Sequence, residues 1–391
     1  MKDLKNMLKK KIKLGIIFPN IKEWQGGTNY FLSLISVLKL IKKNDFDYKI
    51  FSSKGNKKNL KGIIPNNKII YSKYLDRFSY KYFTRILMRF FYKKDFLLER
   101  LLIRHKINIV SHYSPLNKIK SICWIPDLQH KVLTNNFSEQ EINSRDKIFN
   151  NYIFNASKII VSSKSSKKHL AKFYKNLNLK KIEVLNFVPF MNLSRIKSLS
   201  NLKKKYKLPK NYFFCPNQFW VHKNHLLILK AVENLRKTNI KFKVIFSGSK
   251  KDYRNNSHIS FLIKKMKNKK IDNFFMILDK IDYEDVISLA HHSNAIINPS
   301  NFEGWSSTVE EGKILRKRIL LSKIDTHIEQ NPEFGNFFET NNFKKLSRYL
   351  SIYSKNKKFS KLNKINNNYR YLRNKFAKNY YNIIKKTLLS E

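Results

Sequence analysis

The sequence predicts an α/β protein of two doubly wound domains in series, each a parallel sheet covered by helices. Short apolar runs alternate with longer amphipathic stretches, the pattern of βαβ units in which a helix carries the chain back over the sheet between parallel strands. The alternation fades at about 188–210, where Lys, Ser and Asn dominate, and then restarts. The 391 residues also exceed what one compact core usually serves.

In the first half, 13–18 reads as a strand, Gly26 and Gly27 as a turn, and 28–43 as a helix with Phe31, Leu34, Ile35, Leu38 and Ile41 on one face. Further strands are expected at 48–52, 107–111, 119–125, 158–162 and 181–185. A helix is expected over 138–156, where Ser138 and Glu141 have the spacing of a capping box. After the 188–210 linker, strands are expected at 212–215, 242–247, 274–278, 295–298 and 318–321. Helices at 225–237, 256–267, 283–293 and 307–315 separate them, and a long terminal helix carries Leu372, Phe376, Tyr380, Ile384 and Leu388 on one face. Ligands of such sheets bind beyond the carboxyl ends of the strands, so the loops at those ends carry the functional reading.

The most informative loop is 298–311, Asn-Pro-Ser-Asn-Phe-Glu-Gly-Trp-Ser-Ser-Thr-Val-Glu-Glu. It reads as strand, tight turn and helix start, and a helix start offers unpaired N–H groups and the positive end of a dipole to an anion. On the functional reading the backbone of Gly304, Trp305, Ser306, Ser307 and Thr308 cradles a diphosphate, Glu303 contacts sugar hydroxyls, and Glu311, eight residues on, accepts two ribose hydroxyls. On the plainer reading the spacings Ser307 to Glu310 and Thr308 to Glu311 are capping boxes, and the glutamates only close the helix.

Three other stretches can carry chemistry. Asn217-Gln-Phe-Trp-Val-His-Lys-Asn-His follows the 212–215 strand and opens a helix. Lys223 there can balance negative charge on a leaving phosphate, the role a metal fills elsewhere. Trp124-Ile-Pro-Asp-Leu-Gln-His puts Asp127 and His130 in a loop at the carboxyl edge of the first sheet; either one contacts a transferred sugar or an acceptor hydroxyl, or Asp127 caps a turn and His130 is merely exposed. Gly26 and Gly27 either admit a ligand close to backbone or form a plain turn. Finally, Lys73, Arg77, Lys81, Arg85, Arg89 and Lys93 recur every fourth residue beside Tyr74, Phe78, Tyr82, Ile86 and Phe90. A basic and aromatic helix of this kind lies in an anionic membrane interface, or it is a solvated basic face beside a core-packed aromatic one.

With 80 Lys and Arg against 27 Asp and Glu, the formal charge is +53. That attracts nucleic acid, anionic lipid or phosphorylated substrates. The chain is also crowded with Asn, Ile, Phe and Tyr and holds only 9 Gly and 9 Pro, so about half of the charge is read as a compositional skew of the whole protein. Cys123 and Cys215 give neither a disulfide framework nor metal-ligand spacing, and a reducing cytoplasm is the simplest setting. Lysines scattered through 7–18 do not make a signal peptide, and no window approaches the ~20 apolar residues of a transmembrane helix.

The 298–311 block resembles the Glu-x7-Glu signature of retaining glycosyltransferases of the GT-B fold, in family 4 (glycosyl transferases group 1). Trp124-Ile-Pro-Asp-Leu-Gln-His, Asn217-Gln-Phe-Trp-Val-His-Lys-Asn-His, Gly248 through Asp252-Tyr-Arg254, and Phe302-Glu-Gly-Trp-Ser occur here in the order found in bacterial members that build surface polysaccharide. The resemblance spans about residues 12–340. It implies two Rossmann-like domains with an interdomain cleft: 1–190 on the acceptor side, 191–365 binding the donor, and a C-terminal crossing helix, 366–391, packing back on the first domain. It implies transfer with anomeric retention from a nucleoside diphosphate sugar to a glycan or lipid-linked acceptor, with no metal or other cofactor, in a cytoplasmic protein that contacts the inner face of the plasma membrane peripherally. Glu303 then faces the donor sugar, Glu311 the ribose, Lys223 and the 304–308 amides the diphosphate, and His130 or Asp127 approaches the sugar from across the cleft. Many relatives pair the lysine with an arginine a few residues earlier. Here that place holds the neutral Asn217 and Gln218, which either donate hydrogen bonds or leave the second charge to a residue elsewhere. Two other readings stand beside this one: a nucleic-acid-binding protein driven by charge, for which no zinc-ligand spacing or RNP-like motif is present, and a non-catalytic GT-B-like scaffold at a membrane.

Overall fold

A computed structural model describes residues 11–19, 25–175, 177–250, 252–354 and 362–389; the start of the basic N-terminal stretch, up to residue 10, lies outside them. The chain divides into two compact units. One comprises Met1–Leu128, Glu139–Phe190 and Tyr371–Glu391, the other Gln129–Ser138 and Met191–Arg370.

The first unit holds β1 (Ile12–Ile17), β2 (Phe46–Ser52), β3 (Ile69–Tyr71), β4 (Ile109–Ser111), β5 (Lys120–Ile125), β6 (Lys158–Val161) and β7 (Ile182–Val184). They form one parallel sheet in the order β3-β2-β1-β4-β5-β6-β7. The second holds β8 (Tyr212–Cys215), β9 (Lys243–Ser247), β10 (Phe275–Leu278), β11 (Ile296–Asn298), β12 (Ile319–Ser322) and β13 (Gly335–Phe338), parallel in the order β10-β9-β8-β11-β12-β13. Both are Rossmann-like orders in which the chain reverses direction across the sheet, at β1/β4 and at β8/β11. Helices cover both faces, so the central strands are apolar on both sides; every residue of β8 and β12 is buried. Each unit has its own interior, with Phe51, Leu98, Leu102 and Val110 in one and Phe213, Phe246, Leu229 and Leu320 in the other.

Several expectations are corrected. Gly26 and Gly27 are not a turn before the first helix but lie in its first turn, since that helix runs Gln25–Leu38. The 188–210 linker contains a helix, Leu199–Tyr206, capped by Ser198, which accepts from the Asn201 amide at 3.3 Å. Its one fully buried side chain, Leu202, sits among lysines and leaves no apolar periodicity to read. Edge strands β3 and β13 add to the expected set; each is at most four residues and is specified by its neighbour's ladder more than by its own pattern. The lysine and aromatic stripes do not share one helix. Lys73–Leu75 is a 3₁₀ turn and the α-helix is Tyr80–Tyr92. Its aromatic residues are not packed in a core: Phe83 and Phe90 are 65% and 66% exposed, and the one buried residue of the helix is Arg85.

The terminal helix is Leu362–Leu389, with Phe376, Tyr380 and Ile384 buried as the periodicity requires. Within the first unit, Arg373 donates to the Ser36 carbonyl at 2.9 Å, Tyr381 to Asp45 at 3.1 Å, and Lys120 to the Leu388 carbonyl at 3.2 Å. Both cysteines are free and buried, and burial pushes their thiols up, Cys215 to about 12, which leaves them unreactive. Among the described residues no helix is long and apolar enough to cross a membrane.

Candidate functional site

The reversal point of the second sheet brings together two loops that are about eighty residues apart in sequence. One leaves the carboxyl end of β8 and carries Asn217, Gln218 and Lys223; the other leaves β11 and carries Glu303 through Thr308. They are stitched by backbone and side chain. The Asn301 amide donates to the His222 carbonyl at 2.8 Å, Asn224 donates to the Pro299 carbonyl at 3.2 Å, and Asn217 donates to Asn298 Oδ1 at 3.2 Å and accepts from Thr308 at 3.4 Å. Asn224 takes the left-handed conformation (φ 54°) that lets the 3₁₀ turn Val221–Lys223 swing into the helix His225–Glu233.

On this frame Lys223 Nζ lies 2.7 Å from Glu303 Oε1, with the two side chains 15% and 10% exposed. Burial alone would raise the Glu303 carboxyl, but the Lys223 charge, His327 and hydrogen bonds from Lys223 and Ser300 outweigh it and hold the group below the usual glutamate range. Thr326 donates to the Glu303 carbonyl at 2.7 Å and fixes its backbone. His327 is buried, bonds Ser322 through Nδ1 at 2.8 Å, and is kept neutral by burial although Glu303 pulls the other way.

Glu311 has a different environment. It is buried in the helix Ser307–Ile314, where the Tyr283 hydroxyl donates to it at 2.7 Å. Burial pushes its carboxyl up to about 7, the tyrosine opposing weakly.

Neither glutamate caps the helix. The N-cap is Ser306, whose Oγ accepts from the Val309 amide at 3.4 Å and from Asn298 Nδ2 at 2.7 Å. Gln330 receives the Ser306 amide at 3.3 Å and donates to its carbonyl at 2.9 Å. Glu310, the other capping candidate, binds Gln330 and Lys313, each at 2.9 Å. The capping-box reading therefore fails, and the amides of Ser307 and Thr308 are the ones left at the helix start to meet an anion. Glu303, Gly304, Trp305 and Ser307 are half-buried around this turn, while Ser306 and Thr308 are buried.

Other expected residues are placed as follows. Asn217 is buried with both side-chain ends engaged, so it is a strut between loops rather than a free donor. Gln218 is half-buried, its carbonyl accepting from the Trp220 amide at 2.8 Å. Asp127 is half-buried and belongs to the first unit. His130 is fully buried, which removes the plainer of its two readings, a merely exposed ring; it lies in the short helix Gln129–Val132 of the second unit, and its ring meets Phe137 edge-on at 6.4 Å. Gly26 is exposed and Gly27 buried, both within the first unit.

Tyr283, at the start of the helix Tyr283–His292, and Thr326, His327 and Gln330, all on the short helix Asp325–Gln330, complete the candidate site and were missed in the sequence, because neither helix carries a local signal that it reaches the two loops. Arg254 is the exception, lying in the quoted Asp252-Tyr-Arg254 stretch. Its guanidinium bonds Asp252 at 3.0 Å and Gln129 at 3.4 Å and stacks over Trp220 and Phe137 at 4.6 and 5.2 Å. It joins the Lys223 loop to the segment that bears His130. Its charge is matched by Asp252, as that of Lys223 is by Glu303. Gly248 allows this packing: a Cβ there would lie 2.7 Å from the Asn217 carbonyl oxygen.

Residues 197–371 match the family model Glycosyl transferases group 1. No curated protein matches the chain in sequence. Solved structures share the whole fold. A glycosyltransferase from Rickettsia africae is 17% identical with a TM-score of 0.66, 97% of this chain and 100% of that one being covered. HepE from Anabaena, in complex with UDP-glucose, is 12% identical at 0.64, with 96% and 99% covered. Sucrose-phosphate synthase from Thermosynechococcus elongatus is 13% identical at 0.62, with 96% and 97% covered. The family match and the GT-B-like architecture support a glycosyltransferase.

Proposed function

We propose that the chain is a retaining, metal-independent glycosyltransferase that moves a sugar from a nucleoside diphosphate donor to a glycan or lipid-linked acceptor in cell-surface polysaccharide synthesis. The observation that carries this reading is the pinning of the Lys223 and Glu303 loops side by side at the reversal point of the second sheet, where such sheets bind ligands. HepE, crystallised with UDP-glucose, supports a nucleotide-sugar donor.

In this reading Lys223 turns from Glu303 to the diphosphate, joined by the Ser307 and Thr308 amides at the helix start. As the glycosidic bond to the phosphate breaks, these groups stabilise the charge on the leaving diphosphate without a divalent cation. Released from the lysine, Glu303 accepts hydrogen bonds from hydroxyls of the transferred sugar. Glu311, on the far side of the helix start, accepts the two ribose hydroxyls. Asp127 and His130 are the candidates for contact with the transferred sugar.

The test is a thermal-shift panel of nucleotide sugars in the presence of EDTA, followed by NMR of the product's anomeric proton. A ligand that binds only the native state raises its melting temperature. Stabilisation by at least one nucleotide sugar and a product with the donor's anomeric configuration are expected. No shift from any donor would overturn the donor reading, an inverted anomer the retaining one, and a need for added divalent cation the metal-independent one.

A further inference from the structure

The helix Tyr80–Tyr92 is amphipathic in the reverse of the usual sense. At 3.6 residues per turn, Tyr80, Phe83, Leu87, Phe90 and Phe91 fall on the side opposite Arg85, and all five are exposed, between 58% and 69%. The side facing the protein is anchored by Arg85, only 5% exposed. Its guanidinium donates to Asp95 through Nε at 2.9 Å and Nη2 at 2.7 Å, to the Tyr74 carbonyl at 3.0 Å, and contacts the Tyr113 hydroxyl, which itself donates to Asp95 at 2.7 Å. A cation thus holds the helix down and rings point to solvent. Phe78, 90% exposed just before the helix, extends the patch.

A contiguous aromatic face of this size on a water-soluble surface marks an interaction site, and its charge indicates the partner. The helix has no acidic residue; Lys81 and Arg89 lie within it and Arg77, Lys93 and Lys94 flank it. The nearby Asp95 is already neutralised by Arg85. Rings flanked by cations fit the interface of an anionic bilayer, where aromatic side chains settle at the headgroup level and Lys and Arg meet phosphates. We infer that the Tyr80–Tyr92 face is a docking surface for an anionic lipid bilayer, oriented outward by the Arg85 clamp. This inference stands apart from the donor chemistry of the second unit.

The experiment is flotation of the full chain with phosphatidylcholine vesicles, with and without phosphatidylglycerol. It compares the unaltered protein with F83S/L87S/F90S and with K81Q/R89Q/K93Q, all of whose altered side chains lie at or near the surface, and circular dichroism and melting curves confirm folding. Binding to the anionic vesicles is expected, with a loss of at least about tenfold in the apolar variant, because each ring or leucine removed from an apolar environment weakens partitioning. The charge variant should lose binding selectively on anionic vesicles. Equal flotation of folded F83S/L87S/F90S and the unaltered chain overturns the inference. So does a dimer in size-exclusion chromatography that this variant abolishes, which would assign the face to a second copy, or salt-sensitive oligonucleotide binding lost in the same variant, which would assign it to nucleic acid.

Discussion

Lys223 and Glu303 come from two loops eighty residues apart and face each other at 2.7 Å. The pair keeps the carboxylate ionised where burial would otherwise neutralise it. On the proposed roles, an arriving phosphate draws the lysine off and leaves the carboxylate free, so that donor binding and activation of the sugar site are one event.

Lys223→Ala and Glu303→Gln should each lower turnover by about a hundredfold or more, the usual effect of removing one preorganised charge from a transition state. Lys223→Ala also leaves a nearly buried carboxylate without its cation and should cost about 1–3 kcal/mol of stability. The double variant should be less destabilised than the sum of the singles, because no charge is stranded. Urea unfolding of the three proteins, with turnover on the donor found in the thermal-shift panel, tests this; additive losses would contradict it.

Glu311 sets a pH dependence. Its folded-state pKa is raised to about 7 from 4.5, so between those values the folded protein binds more protons than the unfolded one. Stability from this group is greatest below about 4.5 and falls as pH rises towards 7, by on the order of 3 kcal/mol. Glu311→Gln should flatten that slope and be the more stable protein at pH 8. On the role proposed for Glu311, nucleotide affinity should run the other way, rising from pH 5.5 to 8, because the ribose hydroxyls would donate to the ionised carboxylate. Melting curves and calorimetric titrations across this range decide both.

Gly248→Ala forces a methyl to within 2.7 Å of the Asn217 carbonyl and 2.9 Å of the Gln218 Cα. Neither obstacle is a flexible side chain. A loss of about 1–3 kcal/mol is expected, with weaker nucleotide binding, since the displaced backbone leads directly into Lys223. Unchanged stability and affinity would show that the loop yields freely.

Arg254→Ala strands Asp252, which is 2% exposed, and unlinks Gln129 and Phe137 from Trp220. Breaking a buried pair costs about 3 kcal/mol or more. Asp252→Asn combined with Arg254→Ala should recover part of that loss, and Arg254→Lys should restore the ion pair without the stacking. Proteolysis at 129–138 is the local readout, expected to quicken in Arg254→Ala.

Both sheets were legible in the sequence because fully buried parallel strands are apolar runs, as at 212–215 and 319–321, and the helices between them show a clear period. The short edge strands β3 and β13 and the helix Leu199–Tyr206 were not, since neighbours rather than their own pattern specify them. At the site, Glu303, Glu311 and Lys223 stood out through spacing from a glycine turn and a helix start. What those groups experience was hidden. Tyr283, Thr326, His327 and Gln330 arrive from elements distant in sequence, and no local pattern says that Ser306 rather than a glutamate closes the helix. The Lys73 to Lys93 stripe left two readings open for a related reason: periodicity finds two faces, and it is the partners of Arg85, Asp95 foremost, that decide which one turns inward.

The Ser306 cap has a consequence for how such a site can change over time. Because a serine and Gln330 hold the helix start, the positions at 303 and 311 carry no duty to the fold's first turn. On the roles proposed for them, substitution there would retune which sugar and which nucleotide are accepted without unravelling the helix start that presents them. Capping of the helix start and the proposed substrate contacts fall to different residues, so the contacts could drift while the cap is kept.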